Sequence, residues 1–379
     1  MPPVMSQICA GRFRFERATS ADESMLRKFA RRMEMPGAIR FVFEREPDYF
    51  QALCVEGRET RVLVCRDLVT GCVVATGHRS FKPMYINGEL SSAGYLSGLR
   101  LEQSVRNRRI LARGYAFLRD CHQDGEAPFY LTTIMEDNHR AKAILLSDRA
   151  GLPRYHDFGK FCCMALGLRR QFRRSAGADI RVRCARAADG PAIVDFLRRE
   201  GRSRQFFPEY RMEDVGVPGG LLSHLAWEDI FLAFRGSEML GMAAAWDQRP
   251  IRQWRVTGYN AWLRRLRIPL NLAASLKGFP ALPPSGATLN YFILSLVCIR
   301  HQDQRIFSAL LDGVVCERRR RYAFFLAGLH ERDPLLPELL ARPHLALPSR
   351  LYVVAWPDGE DAVRKLDRRL VPYLEPGSL

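Results

Sequence analysis

The sequence predicts an α/β (α+β) protein built as two tandem domains, each a mixed, mostly antiparallel sheet flanked by helices. Three observations point there. Short apolar strand-like runs alternate with amphipathic segments along the chain. The order of these runs in the first half returns in the second. Turn signals such as Asn87-Gly88 join strands as hairpins. At 379 residues the chain also exceeds one ordinary core.

In the first half, strands are expected near 13–18, 61–66, 72–82, 91–102, 128–135 and 158–167. Helices fit near 21–34, 45–57, 108–122 and 138–149. Phe13 to Ala18 reads as a strand, and Ala21-Asp22 opens the first helix. Val62–Arg66 and Cys72–Ala75 bracket a Thr70-Gly71 turn as a hairpin. In 108–122, Ile110, Leu111, Gly114, Tyr115, Leu118 and Cys121 share one face. The second half repeats this order. Ile180–Ala185 before Ala188-Asp189 echoes the start, and Phe231–Arg235 with Met242–Ala245 echoes the hairpin. Phe324–Glu331 matches Phe129–Glu136 without a gap. The expected division is 1–170, a polar linker at 171–179, and 180–379 with an insertion at 249–287. Within that insertion, Ala261–Leu266 reads as a short amphipathic helix that covers the neighbouring domain or meets a substrate or membrane surface.

Apolar residues make up 47% and charged residues 26%, an ordinary balance for a globular protein. No apolar run nears the roughly 20 residues of a membrane span, and Met1–Met5 lacks the pattern of a secretion signal, so a cytoplasmic location is expected. None of the ten cysteines forms a C-x-x-C pair and no His/Cys cluster has ligand spacing, so no metal is expected. The net charge of +17 attracts phosphates, anionic substrates or nucleic acid without choosing among them. Neither a Ser/His/Asp set nor the phosphate loop of NTPases is visible.

Residues 95–159 carry the functional signal. The strand Tyr95–Leu101 runs into an arginine-rich turn, Arg106-Asn107-Arg108-Arg109, that opens a helix. Unpaired N–H groups and the helix dipole make such a turn a place for phosphates. A second strand and a helix opened by Asp137-Asn138 follow, closed by Gly151-Leu152-Pro153-Arg154-Tyr155.

This unit resembles the GNAT superfamily of acyl-CoA-dependent N-acyltransferases, here as a tandem pair. Asn138-His139-Arg140-Ala141 followed by Gly151-Leu152 is similar to the family's closing segment, and Arg106-x-x-Arg109-x-Leu111 stands where its phosphate loop lies, with Arg109 replacing a glycine. Arg109-x-x-Ala112-x-Gly114 is the second register. The resemblance implies transfer from acetyl-CoA or a longer acyl-CoA to an amine of a small molecule or peptide, without a metal. It places the cofactor on Leu101, Arg106, Asn107, Arg108, Arg109, Ile110 and Leu111, with Asn138 bonding the pantetheine arm or simply capping its helix. Glu102 ends the strand where family members often place a base, or else balances the arginine turn at the surface. The family's acid tyrosine position is Leu145, and Tyr155 is the nearest substitute or a core aromatic. Tyr130 is a weaker candidate, and His139 and His156 read as surface or packing residues. His330 and Glu331, which stand where the first half has Met135 and Glu136, are expected to point to opposite faces. In the second half the loop is His301–Phe307, and Asp303 would repel a diphosphate, so this copy is expected to be degenerate. The alternatives are an aminoacyl-tRNA-dependent transferase with paired domains, and a non-catalytic binding or regulatory protein on this fold.

Overall fold

A computed structural model describes residues 7–106, 109–147, 151–168, 179–277 and 281–379. The first half contains β1 (Gln7–Ala10), β2 (Phe13–Arg17), α1 (Glu23–Arg32), β3 (Ile39–Glu44), β4 (Glu59–Asp67) and β5 (Val73–Ile86). It continues with β6 (Glu89–Leu101), α2 (Ile110–His122), β7 (Tyr130–Met135), α3 (His139–Leu145) and β8 (Arg154–Gly167). Local chemistry explains most of these. Asp22 accepts the Thr19 N–H at 2.8 Å ahead of α1, whose Leu26, Phe29 and Ala30 face the core. Asn87 and Gly88 both adopt positive φ (56° and 84°), the tight-turn geometry that Asn-Gly favours, and so join β5 to β6.

The second half contains β9 (Arg181–Cys184), α4 (Gly190–Gly201), β10 (Arg204–Gln205), β11 (Phe207–Pro208), β12 (Ile230–Arg235) and β13 (Glu238–Trp246). Then come β14 (Gln253–Tyr259), α5 (Ala261–Lys277), β15 (Tyr291–Ile299), α6 (Gln304–Arg318) and β16 (Phe324–His330). The chain finishes with α7 (Leu336–Leu340), β17 (His344–Ala355), α8 (Glu360–Arg364) and β18 (Val371–Pro372).

One 14-stranded sheet runs through both halves in the order β1-β2-β4-β5-β6-β7-β17-β8-β16-β15-β13-β12-β9, with β11 paired to β5. Its pairs are antiparallel except β6 with β7 and β15 with β16. The halves exchange strands at the centre. β17 lies between β7 and β8, and β8 pairs with both β17 and β16. Core clusters accordingly mix the halves: Tyr130 and Tyr115 pack with Tyr352, Val354 and Trp356.

Two differences from the sequence reading have physical causes. Residues 45–57 form only a single 3-10 turn at Gln51–Leu53. Pro47 keeps the preceding residue out of helix, and the N–H groups that follow turn to side chains, Tyr49 donating to Glu23 and Gln51 to Asp48, both at 2.9 Å. The strand β3 was not expected because its ladder partner among the described residues is β14, inside the 249–287 insertion. The short amphipathic helix extends to 17 residues as α5, and the strand that precedes it, β14, pairs with β3 of the first half. The expected linker lies outside the described residues except for Asp179, which pairs with Arg235 at 2.6 Å.

Candidate active site

β6 and β7 run side by side only at Gly94–Tyr130 and Tyr95–Leu131. Two residues further along, β6 bulges. Between the pairs His78–Ser97 and Thr76–Arg100, Gly98 and Leu99 stand opposite the single residue Gly77 of β5. Gly98 has φ of 61°, and a Cβ there would lie 2.5 Å from the His78 ring, so backbone and imidazole can approach only because this residue is glycine. The strand then leads through a short turn to α2. Arg109 at its N-cap is left-handed (φ 56°) and makes no side-chain capping bond, so this side chain leaves the first-turn N–H groups to another acceptor. Arg106 and Arg109 are exposed at this end.

A cavity of about 90 Å³ lies between α2 and strands β4–β6. Its walls are mostly apolar: Leu63, Leu96, Leu99, Ile110, Leu111 and Leu118 among them. His78 and Ser97, next to the bulge, supply polar groups.

Behind the bulge sits a buried network. The Glu56 carboxylate, fully buried, accepts from Ser97 Oγ at 2.7 Å, Arg252 at 2.8 Å and Arg45 at 3.1 Å. His78 Nδ1 lies 3.3 Å from both Glu56 and Ser97 Oγ, and Nε2 is 2.9 Å from the Tyr49 hydroxyl. Burial pushes the Glu56 carboxyl up, but its cationic surroundings outweigh this and hold it well below the ordinary carboxylate value. Burial lowers the His78 pKa, with Glu56 opposing only in part, so the imidazole is neutral near pH 7.

The second half repeats the scaffold and closes it. β15 bulges at the matching place, where Leu296 and Val297 stand opposite Ala243, and Leu296 is left-handed (φ 51°). The Leu296 N–H donates to the buried Glu375 carboxylate at 3.0 Å. At the start of α6, Asp303 caps the helix by accepting from the Arg305 N–H at 2.7 Å. Carboxylates of the chain itself therefore sit at the bulge and at the helix N-terminus of this copy.

The residues singled out in the sequence fall in different places. Leu101, Ile110 and Leu111 line the cavity. Arg106 and Arg109 flank the start of α2, whereas Asn107 and Arg108 lie outside the described residues. Asn138 caps α3, its Oδ1 accepting from Ala141 N–H at 3.1 Å. Glu102 ends β6 in an ion pair with Arg32 at 3.0 Å and lines a separate hollow with Asp67 and Ser104. Tyr155 bonds through its hydroxyl to Tyr115 at 2.6 Å, and Tyr115 lines the cavity. Leu145 is core. Tyr130 is buried between Arg79 and His122, and His156 pairs with Glu360. His330 and Glu331 both approach Gly159 rather than pointing apart, because Glu331 lies just past the end of β16. Sequence reading missed Glu56, His78, Ser97 and Arg252. They come from four separate segments and carry no local spacing.

No protein-family model and no curated protein matches this sequence. Solved structures do. Saccharomyces cerevisiae N-myristoyltransferase with bound myristoyl-CoA is 10% identical, with a TM-score of 0.59 over 97% of this chain and 86% of that one. A GCN5-related glucosamine N-acetyltransferase region of a fungal GH3 β-N-acetylglucosaminidase is 12% identical, with a TM-score of 0.57 over 91% of this chain and 38% of that one. A GCN5-related N-acetyltransferase from Anabaena variabilis is 9% identical, with a TM-score of 0.50 over 90% and 72%. By strand order, bulge, helix placement and these likenesses together, the chain has the GCN5-related N-acetyltransferase (GNAT) fold, doubled in tandem as one continuous sheet.

Proposed function

We propose that this protein is an acyl-CoA-dependent N-acyltransferase whose first half holds the acyl-CoA. The contrast between the two copies carries this reading. Where the second copy places Glu375 on its bulge and Asp303 on its helix start, the first copy has a bulge of glycine and leucine and a helix start flanked by Arg106 and Arg109. Sites for two negative groups, an oxyanion and a diphosphate, are thus left to a ligand. The myristoyl-CoA bound by the yeast neighbour fits the same class of co-substrate.

In this reading, first-turn N–H groups of α2 and the arginines bind the diphosphate, and the acyl chain lies in the cavity beneath α2. A group the size of water needs about 10–15 Å³, so the cavity suits a chain longer than acetyl. The Gly98–Leu99 backbone faces the thioester carbonyl. As the amine nitrogen bonds to that carbon, its proton is taken up at Nε2 of neutral His78, the ring nitrogen that the Tyr49 hydroxyl meets at 2.9 Å, and the imidazolium is then stabilised by Glu56. The carbon–sulfur bond breaks, giving an amide and coenzyme A. Tyr155 acts on the leaving thiolate through Tyr115: the two hydroxyls bond at 2.6 Å, Tyr115 lines the cavity, and burial holds both phenols above the ordinary value, so they stay protonated as hydrogen-bond donors. Glu102, held by Arg32, keeps the end of β6 against α1.

Titration calorimetry with coenzyme A, followed by turnover with acetyl-, octanoyl- and myristoyl-CoA against a panel of peptide and small-molecule amines, tests this. Coenzyme A binding and faster transfer of the longer chains are expected. A folded protein that gives no binding heat with any of them refutes the reading.

A further inference from the structure

The helix α5 has no counterpart in the first half, and its outward face is unusual. Leu263 and Leu270 pack on Val256 and Tyr259 of the β3–β14 ribbon and its edge. The opposite side exposes Ile268 at 78%, Leu272 at 69% and Leu276 at 79%, spaced i, i+4, i+8. Trp262, exposed at 60%, flanks the stripe at the start of the helix. A single exposed leucine needs no explanation, but a continuous row on one helix marks an interaction surface. Charge surrounds it: Arg264, Arg265 and Arg267 lie on the same helix, and no aspartate or glutamate occurs anywhere from residue 248 to 302.

The ribbon sets where this helix stands. Its base is anchored at the Glu56 network, since Arg45 follows β3 and Arg252 precedes β14. The seven residues of β14, rising about 3.3 Å each, carry α5 roughly 20 Å from that network. An apolar stripe accompanied by arginine, on the outer side of a helix carried by the β3–β14 ribbon, matches a helix that lies in the plane of a membrane interface. The charge chooses the occupant. A second copy of this chain would set arginine against arginine across a two-fold axis, whereas anionic headgroups neutralise it.

We propose that α5 docks the protein on an anionic lipid surface, with Trp262, Ile268, Leu272 and Leu276 entering the interface and the arginines meeting headgroup phosphates. The helix lies on the bilayer without crossing it; no helix of the described residues is long and apolar enough to span. This inference stands apart from the acyl-transfer reading.

Flotation of the full chain with vesicles tests it. Phosphatidylcholine vesicles and vesicles with a third of phosphatidylglycerol are compared at low and high salt. Capture by the anionic vesicles is expected, weakened by salt, with little on the neutral ones. Because the substituted side chains are exposed, the double variant Leu272→Glu/Leu276→Glu keeps the melting temperature and loses roughly tenfold or more in vesicle affinity. Failure of the unaltered protein to float with anionic vesicles overturns the proposal, as does equal flotation of the double variant. So does a dimer that the double variant dissociates without any vesicle capture by the parent, which would make a second copy the occupant.

Discussion

At the scale of single residues, His78 joins the core to the chemistry. It lies against Gly98 in the bulge, lines the cavity, and shares Glu56 with two arginines. Its pKa is lowered chiefly by burial, so folding holds it neutral while the unfolded chain titrates near the free value of about 6.5. Below that pH the unfolded state binds more protons, so the stability this burial permits is present at neutral pH and falls as pH drops. One such group limits the slope to about 1.4 kcal/mol per pH unit. Chemical denaturation at pH 7.5 and 5.5 should show a smaller loss in His78→Gln than in the parent, and initial rates at pH 7.5 should fall at least tenfold in the variant. Equal pH slopes in the two proteins would refute the neutral state assigned to His78. Nothing in the sequence around His78 or Glu56 announced this pair. A histidine within an apolar strand and a glutamate on an amphipathic stretch are each ordinary; only the tertiary fold makes them neighbours.

At the scale of elements, the unit β6–turn–α2 was legible because its signal is local: an apolar strand, a run of arginines, then one apolar helical face. The bulge was not, since it depends on how β5 and β6 are matched across the sheet. Arg109 illustrates the tension at the turn. Its left-handed backbone is costly for any residue with a Cβ, yet its side chain stands at the start of α2. Arg109→Gly should therefore raise stability by up to about 1 kcal/mol while weakening coenzyme A binding and flattening its salt dependence. Thermal melts and calorimetry at two salt concentrations read the two effects separately. A variant that is both less stable and unaltered in affinity would refute the role given to this turn. In the second copy Asp303 was legible as repulsive to phosphate, and the structure adds that it satisfies its own helix. Glu375, from the far end of the chain, was hidden for the same reason as Glu56.

At the scale of the whole molecule, the internal echo of the sequence revealed two copies but not how they interlock. Repetition in a sequence reports what each copy contains; it carries no mark of which sheet receives a strand. Here β17 fills the gap between β7 and β8, burying Leu351, Tyr352, Val353 and Val354. Residues 1–168 expressed alone should therefore lack cooperative unfolding and aggregate through the open strand edges, while the full chain melts in one transition. A stable, monomeric fragment of that length would contradict the interlock. The arrangement also bears on how the protein is made. Synthesis runs from the first residue, so the earlier half leaves the ribosome with a strand-wide slot in its middle. That slot stays empty until some 190 further residues have been added and Ala355 has emerged. The nascent chain must spend that interval unfinished, and a chaperone that shields exposed strand edges is the helper it would need.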